Sequence, residues 1–233
     1  MVRIKGLIPI VVILLGFACG SSQETASSTQ AVPEASTPTE QKPTKPIILF
    51  FGNSITAGYQ LAVEQAFPAI IQEWMDSLGY DYQAVNAGLS GETTASGKNR
   101  IEWVLRTVPD IFVLELGAND GLRGLPLEET PKNLQSIIDQ VKKANPDVKI
   151  IIAGMKVPPN LGQDYASGFE KIFPKVAEDN DALLIPFILE KVAGNPELNL
   201  PDGIHPTPEG HLLVAETVWQ YLQPILVKSE NQS

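Results

Sequence analysis

The sequence of 233 residues holds one cysteine and two histidines. A single thiol, Cys19, excludes an intramolecular disulfide framework. His205 and His211 are too few for a His-rich zinc site, so any hydrolytic chemistry is expected to run without a metal and with no cofactor. Cations are scarce as well. Lys and Arg number 17 against 27 Asp and Glu, the net charge is −10, and no basic cluster appears. Phosphate binding needs clustered cations, so nucleic acid is excluded as a partner. No internal repeat occurs, and the apolar run over residues 7–17 is too short for a comfortable transmembrane span.

What the chain does have begins with Arg3 and Lys5 ahead of that run, the pattern of a targeting segment. Leu15-Gly16-Phe17-Ala18-Cys19-Gly20 follows and resembles a bacterial lipoprotein signal, with Phe17 bulkier than usual at its position. Residues 1–18 are therefore expected to be a lipoprotein signal peptide and Cys19 the lipidated first residue of the mature chain. Residues 19–45, rich in Ser, Thr, Gln, Glu and Pro, are expected to be a disordered tether, because they bury too little surface to offset chain entropy. A folded domain is expected over 46–227 and a flexible tail over 228–233. The expected location is the bacterial cell envelope, lipid-anchored and facing the periplasm or the exterior, or secreted if Cys19 is not lipidated. A monomer is expected.

Residues 46–51 (PIILFF) form a continuous apolar run, as in a strand buried on both faces. Further strands are predicted over 82–86, 110–116, 148–153 and 183–185. Helices are predicted over 62–78, 94–108, 131–144, 165–179 and 208–226. Strands alternating with helices indicate a parallel sheet covered on both sides.

Four short blocks carry the chemistry. Gly52-Asn53-Ser54-Ile55-Thr56 puts a serine at a strand-to-helix turn, a place that suits a nucleophile as well as a helix cap. Asn86-Ala87-Gly88 offers a backbone N–H for an oxyanion, or a glycine for a tight turn. In Gly117-Ala118-Asn119-Asp120, the Asn119 amide is an uncharged donor suited to the same task. Asp202 and His205 are spaced so that a carboxylate can orient an imidazole. His211 reads as structural or solvated. Glu115, close to Gly117, has the look of an acid/base candidate, but in a central strand it reads as held by local backbone donors.

Together, in this order, the blocks resemble the SGNH (GDSL) hydrolase family. The resemblance runs from about Ile47 to Leu226 and is strongest to its bacterial multifunctional arylesterase/thioesterase/lysophospholipase branch. It implies a flavodoxin-like three-layer α/β/α sandwich with a five-stranded parallel sheet. It also implies Ser54 as nucleophile, His205 as base and Asp202 as its partner. The oxyanion hole would be the Ser54 and Gly88 N–H groups with the Asn119 side chain. The family's first block usually reads Gly-Asp-Ser, and here Asn53 stands in the middle. The expected substrate is a small acyl ester, thioester or lysolipid, with Leu122, Leu161 and Tyr165 as candidate groove residues. An acetylated carbohydrate or cell-wall ester is one alternative. A tethered binding module with little catalysis is the other.

Overall fold

The computed structural model describes residues 45–228. The expected signal peptide, Cys19, the tether up to residue 44 and the tail from 229 onward lie outside the described residues. Within them, no helix is long and apolar enough to cross a membrane.

Five strands form one parallel sheet: β1 (Ile47–Gly52), β2 (Gln83–Gly88), β3 (Ile111–Glu115), β4 (Lys149–Ala153) and β5 (Leu183–Ile185). Their spatial order is β2-β1-β3-β4-β5. The apolar runs IILFFG, IFVLE and KIIIA occupy the three central positions and are buried almost throughout, whereas QAVNAG and LLI are edge strands and more exposed. Sequence polarity thus sorts centre from edge.

Among the described residues, eight α-helices accompany the sheet: α1 (Ser54–Ala57), α2 (Phe67–Ser77), α3 (Thr94–Val104), α4 (Ala118–Leu122), α5 (Glu129–Ala144), α6 (Gln163–Glu170), α7 (Ile172–Asn180) and α8 (Pro208–Leu222). Helix α2 packs on α8, while α5 packs on both α3 and α7. The result is the expected three-layer sandwich, with Phe50, Phe51, Phe67, Phe112 and Phe173 among its fully buried side chains. Burial of a side chain of this size contributes about 2–3 kcal/mol before entropy is counted.

Several helices differ from the sequence expectation. The helix expected over 165–179 is broken at Lys171, because Pro174 cannot donate to the Glu170 carbonyl and its ring crowds it. The helix expected from residue 62 starts only at Phe67, after a short 3-10 turn over Val63–Gln65. The last helix ends at Leu222, ahead of Pro224.

This strand order turns at β1, whose neighbours are β2 on one side and β3 on the other. At such a switch point the connections leave on opposite faces, and a crevice opens beyond the carboxyl ends of the strands. Ser54 follows β1 and Asn119 follows β3, so both lie on the rim of that crevice.

Candidate active site

The β1 strand ends at Gly52, and Asn53 turns the chain into α1. The Asn53 Oδ1 accepts the Ile55 N–H at 3.0 Å, capping the helix and placing Ser54 in its first turn. A first-turn N–H has no intrahelical acceptor, so the Ser54 N–H is left to face the rim. Beneath the turn lies Glu115, fully buried. Its Oε2 accepts the Asn53 N–H at 3.1 Å, the Thr56 N–H at 3.2 Å and the Thr56 hydroxyl at 2.8 Å. Its Oε1 accepts the Asn53 side-chain amide at 2.6 Å. Burial pushes the Glu115 carboxyl up to about 7, against the pull of these donors. Gly52 permits the arrangement, since a Cβ there would overlap both Thr56 Oγ1 and Glu115 Oε2.

The Asp202/His205 pair is carried by a narrow loop. Asn199 bridges Pro206, the Thr207 N–H reaches the Leu198 carbonyl at 2.9 Å, and the Leu200 N–H reaches the His205 carbonyl at 2.7 Å. Gly203 takes the positive φ of 71° that the tip requires. Asp202 Oδ1 accepts the backbone N–H groups of Ile204 at 2.9 Å and His205 at 3.0 Å. The other oxygen lies 2.7 Å from His205 Nδ1, and His205 Nε2 lies 2.9 Å from Ser54 Oγ. The His205 backbone N–H, then its ring, hold the Asp202 carboxyl down at about 2. An ionised Asp202 keeps the proton on Nδ1, leaving Nε2 as an acceptor toward the serine. Tyr59, absent from the candidates, packs on this imidazole with centroids 4.4 Å apart. It stands five residues after Ser54, just beyond the first block.

The oxyanion donors differ from expectation at one position. The Gly88 N–H is already bonded to Asn86 Oδ1 at 2.9 Å, while Asn86 Nδ2 donates to the Thr56 carbonyl at 2.8 Å. A Cβ at Gly88 would overlap the Ala57 backbone. Gly88 is therefore a packing glycine where β2 meets α1, and its N–H is already engaged by Asn86. Three residues on, Leu89 to Glu92 form a turn closed by Glu92 N–H to Leu89 O at 3.1 Å, with Gly91 at φ 80°. The Gly91 N–H has no hydrogen-bond partner among the described residues. Gly91 lies just beyond the Asn86-Ala87-Gly88 block, and the sequence does not show which of the two glycine N–H groups is free.

That turn is held firmly. Arg100 pairs with the buried Glu92 carboxylate through Nε at 2.7 Å, and its guanidinium lies 4.3 Å over the Phe51 ring. Asn119 Nδ2 donates to the Glu92 carbonyl at 3.0 Å, which leaves its second amide hydrogen available. Asp120 accepts the Thr94 N–H at 2.9 Å and so joins the block after β3 to the start of α3.

A cavity of about 510 Å³ adjoins these residues, lined by Ile55, Ala118, Leu122, Met155, Val157 and Ile204 among others. Ile55, Ala118 and Ile204 are chain neighbours of Ser54, Asn119 and His205, so the cavity opens beside the triad. Leu122 lines it as expected. Leu161 and Tyr165 do not: Leu161 lies over Gly124, and the Tyr165 hydroxyl donates to the Leu125 carbonyl at 2.7 Å. His211 is buried and structural. Its Nδ1 accepts the Phe67 N–H at 3.2 Å, an unpaired first-turn donor of α2, and the two rings stack.

Residues 50–213 match the GDSL-like Lipase/Acylhydrolase family. The chain belongs to that family. It is 39% identical over 176 residues to an arylesterase of Vibrio mimicus, covering 75% of this chain and 87% of the relative. It is 34% identical to thioesterase 1/protease 1/lysophospholipase L1 of Escherichia coli, over 77% of this chain and 84% of that one. The crystal structure of TesA superimposes with a TM-score of 0.74 at 36% identity, covering 77% of this chain and 99% of TesA. As a member of the SGNH hydrolases, the protein is a serine ester hydrolase.

Proposed function

We propose that the reaction runs through an acyl-Ser54 intermediate, and the observation that carries this is the continuous relay from Asp202 through His205 to Ser54. Ser54 Oγ attacks the acyl carbonyl while His205 Nε2 takes its proton. The carbonyl oxygen becomes an oxyanion bounded by the Ser54 N–H, the Gly91 N–H and the free hydrogen of the Asn119 amide. Collapse expels the alcohol or thiol, which receives the proton from His205. Water then repeats the sequence, releasing the acid and restoring Ser54. Asp202 stays ionised throughout and steadies the imidazolium.

The substrate is an ester with an apolar acyl chain, of the arylester or lysophospholipid kind, with thioesters as a secondary class. The largely apolar walls of the cavity beside Ser54 support this reading, as do the names of the relatives. The test is a chain-length series of p-nitrophenyl esters, a lysophospholipid and an acetylated oligosaccharide, with Ser54→Ala as control. Turnover that rises with chain length is expected, together with fluorophosphonate labelling lost in Ser54→Ala. Labelling retained at another serine overturns the nucleophile, and preference for the acetylated sugar overturns the substrate class.

The lipoprotein-like run ending at Cys19 supports placement in the cell envelope, with a diacylated and N-acylated cysteine as a stable anchor. Mass spectrometry of the native N-terminus tests it, and an unmodified terminus beyond Cys19 overturns it.

A further inference from the structure

The turn that presents Ser54 is fastened from behind by one pair of side chains. We propose that Asn53 and Glu115 form an amide–carboxylate latch that positions the nucleophile, with Asn53 supplying a hydrogen that an aspartate there could supply only by staying protonated. This rests on the reading of Ser54 as nucleophile.

The orientation of the Asn53 amide is fixed from both ends. Its Oδ1 accepts the Ile55 N–H at 3.0 Å and lies 3.3 Å from Ser54 Oγ, while its Nδ2 donates to Glu115 Oε1 at 2.6 Å. Turning the amide over would set N–H against N–H at Ile55 and oxygen against oxygen at Glu115. Glu115 in turn receives four donors from two residues, the side chains of Asn53 and Thr56 and both their backbone N–H groups. An acceptor-only carboxylate meets every one of them. Gly52 leaves the space through which Glu115 reaches this turn. Glu115 is thus a positioning residue, acting on Ser54 through Asn53 and the first turn of α1.

No other charged group supplies this service. Among the described residues no charged side chain hydrogen-bonds Glu115. The Asp202–His205 pair is linked to it through Ser54 and then Asn53. Of the other titratable groups on this rim, Asp120 is held by Thr94 and Glu92 by Arg100. His211, on α8, is engaged by Phe67. Two carboxylates facing each other at the Asn53–Glu115 separation cannot both be ionised, so Asn53→Asp must retain one shared proton. In the unfolded chain both carboxyls ionise freely. The variant therefore goes on losing stability as pH rises above about 8, where the wild-type Glu115 carboxyl, at about 7, has given up most of its proton.

The experiment compares wild type, Asn53→Asp, Glu115→Gln and the double variant Asn53→Asp/Glu115→Gln, in Tm and in kcat and KM, between about pH 7.5 and about pH 9.5. The double variant restores an amide–carboxylate contact with its polarity reversed. We expect the Tm of Asn53→Asp to fall with pH relative to wild type, and its kcat to fall alongside while KM holds. Glu115→Gln sets amide hydrogen against amide hydrogen and should lower kcat by about tenfold or more at every pH. The double variant should regain a wild-type pH slope and exceed both single variants in kcat. Parallel Tm curves for Asn53→Asp and wild type, or a double variant no better than the singles, would overturn the latch. If either single variant does not fold, recovery of folding in the double variant supports the latch, and absence of recovery overturns it. Ser54→Ala runs beside them: turnover surviving there defeats the nucleophile assignment itself, a result distinct from any failure of the latch.

Discussion

The Asp202 carboxylate holds His205 twice, accepting its backbone N–H at 3.0 Å with one oxygen and facing its ring Nδ1 at 2.7 Å with the other. Asp202→Asn keeps much of the loop but favours the wrong imidazole tautomer, so kcat should fall by a factor on the order of 10³–10⁴. Because these contacts hold the Asp202 carboxyl down at about 2, it stays ionised at every pH above about 4. The acid limb of kcat/KM should therefore lie well above pH 4 and belong to another group. Steady-state pH profiles decide the point, and a limb centred near pH 2–3 would reject it.

Gly88 and Gly91 separate packing from chemistry. Gly88→Ala drives a methyl group into the Ala57 backbone and should cost roughly 1–3 kcal/mol, seen as a lower Tm. Gly91→Ala meets open space beside Arg123 but loses the favoured positive φ. The turn then rotates its Ser90–Gly91 peptide, and kcat should fall about 10²-fold with a small change in Tm. A larger kinetic effect at Gly88 than at Gly91, in proteins of equal stability, would return the oxyanion role to Gly88.

Asn119→Ala removes a side-chain donor and should lower kcat by about 10²–10³. An effect confined to KM would make Asn119 a substrate-binding group only.

Two buried groups give opposite pH slopes in stability. Burial holds the His211 imidazole down at about 4, so from about pH 6.5 to 4 the unfolded chain binds the extra proton and stability falls with pH. Over the full interval this amounts to about 3 kcal/mol. Glu115 is pushed up to about 7, so the folded chain binds the extra proton between pH 4.5 and 7 and stability rises as pH falls. The two effects largely cancel, and wild-type Tm should vary little between about pH 5 and 6.5 on their account. His211→Asn leaves the Glu115 slope alone: the variant is less stable, but its Tm should rise as pH drops from 7 to 5. Thermal melts across that interval check the sign, and a fall would refute the assignment.

Leu122 is 41% exposed and lines the cavity, so it can be enlarged without disturbing the core. Leu122→Trp should lower kcat/KM for octanoyl relative to acetyl esters by roughly tenfold, with Tm unchanged. Equal loss on both esters would mean that the chain does not pass this wall.

Much of this site was legible because each block is short and local. Ser54, Asn119, Asp202 and His205 each follow a strand or sit in a proline-bounded loop, and the parallel topology brings strand ends to one rim. What escaped depended on side chains arriving from elsewhere. Which of two nearby glycines keeps a free N–H is decided by Asn86 folding back onto Gly88. Leu161 and Tyr165 were misplaced because their segment closes over residues 124–125 and not over the cavity. The break at Lys171 was written in Pro174 but masked by the apolar spacing on either side.

The serine and its base stand 151 residues apart in sequence, and the loop bearing the base is seated by Thr207, which caps α8. The nucleophile turn and the oxyanion donors come from residues up to 120. Along the chain the nucleophile and the oxyanion donors therefore come well before the base. The triad is complete only when the final helix and its loop are seated against the rim, so losing that helix takes away the base's support and leaves the nucleophile turn untouched.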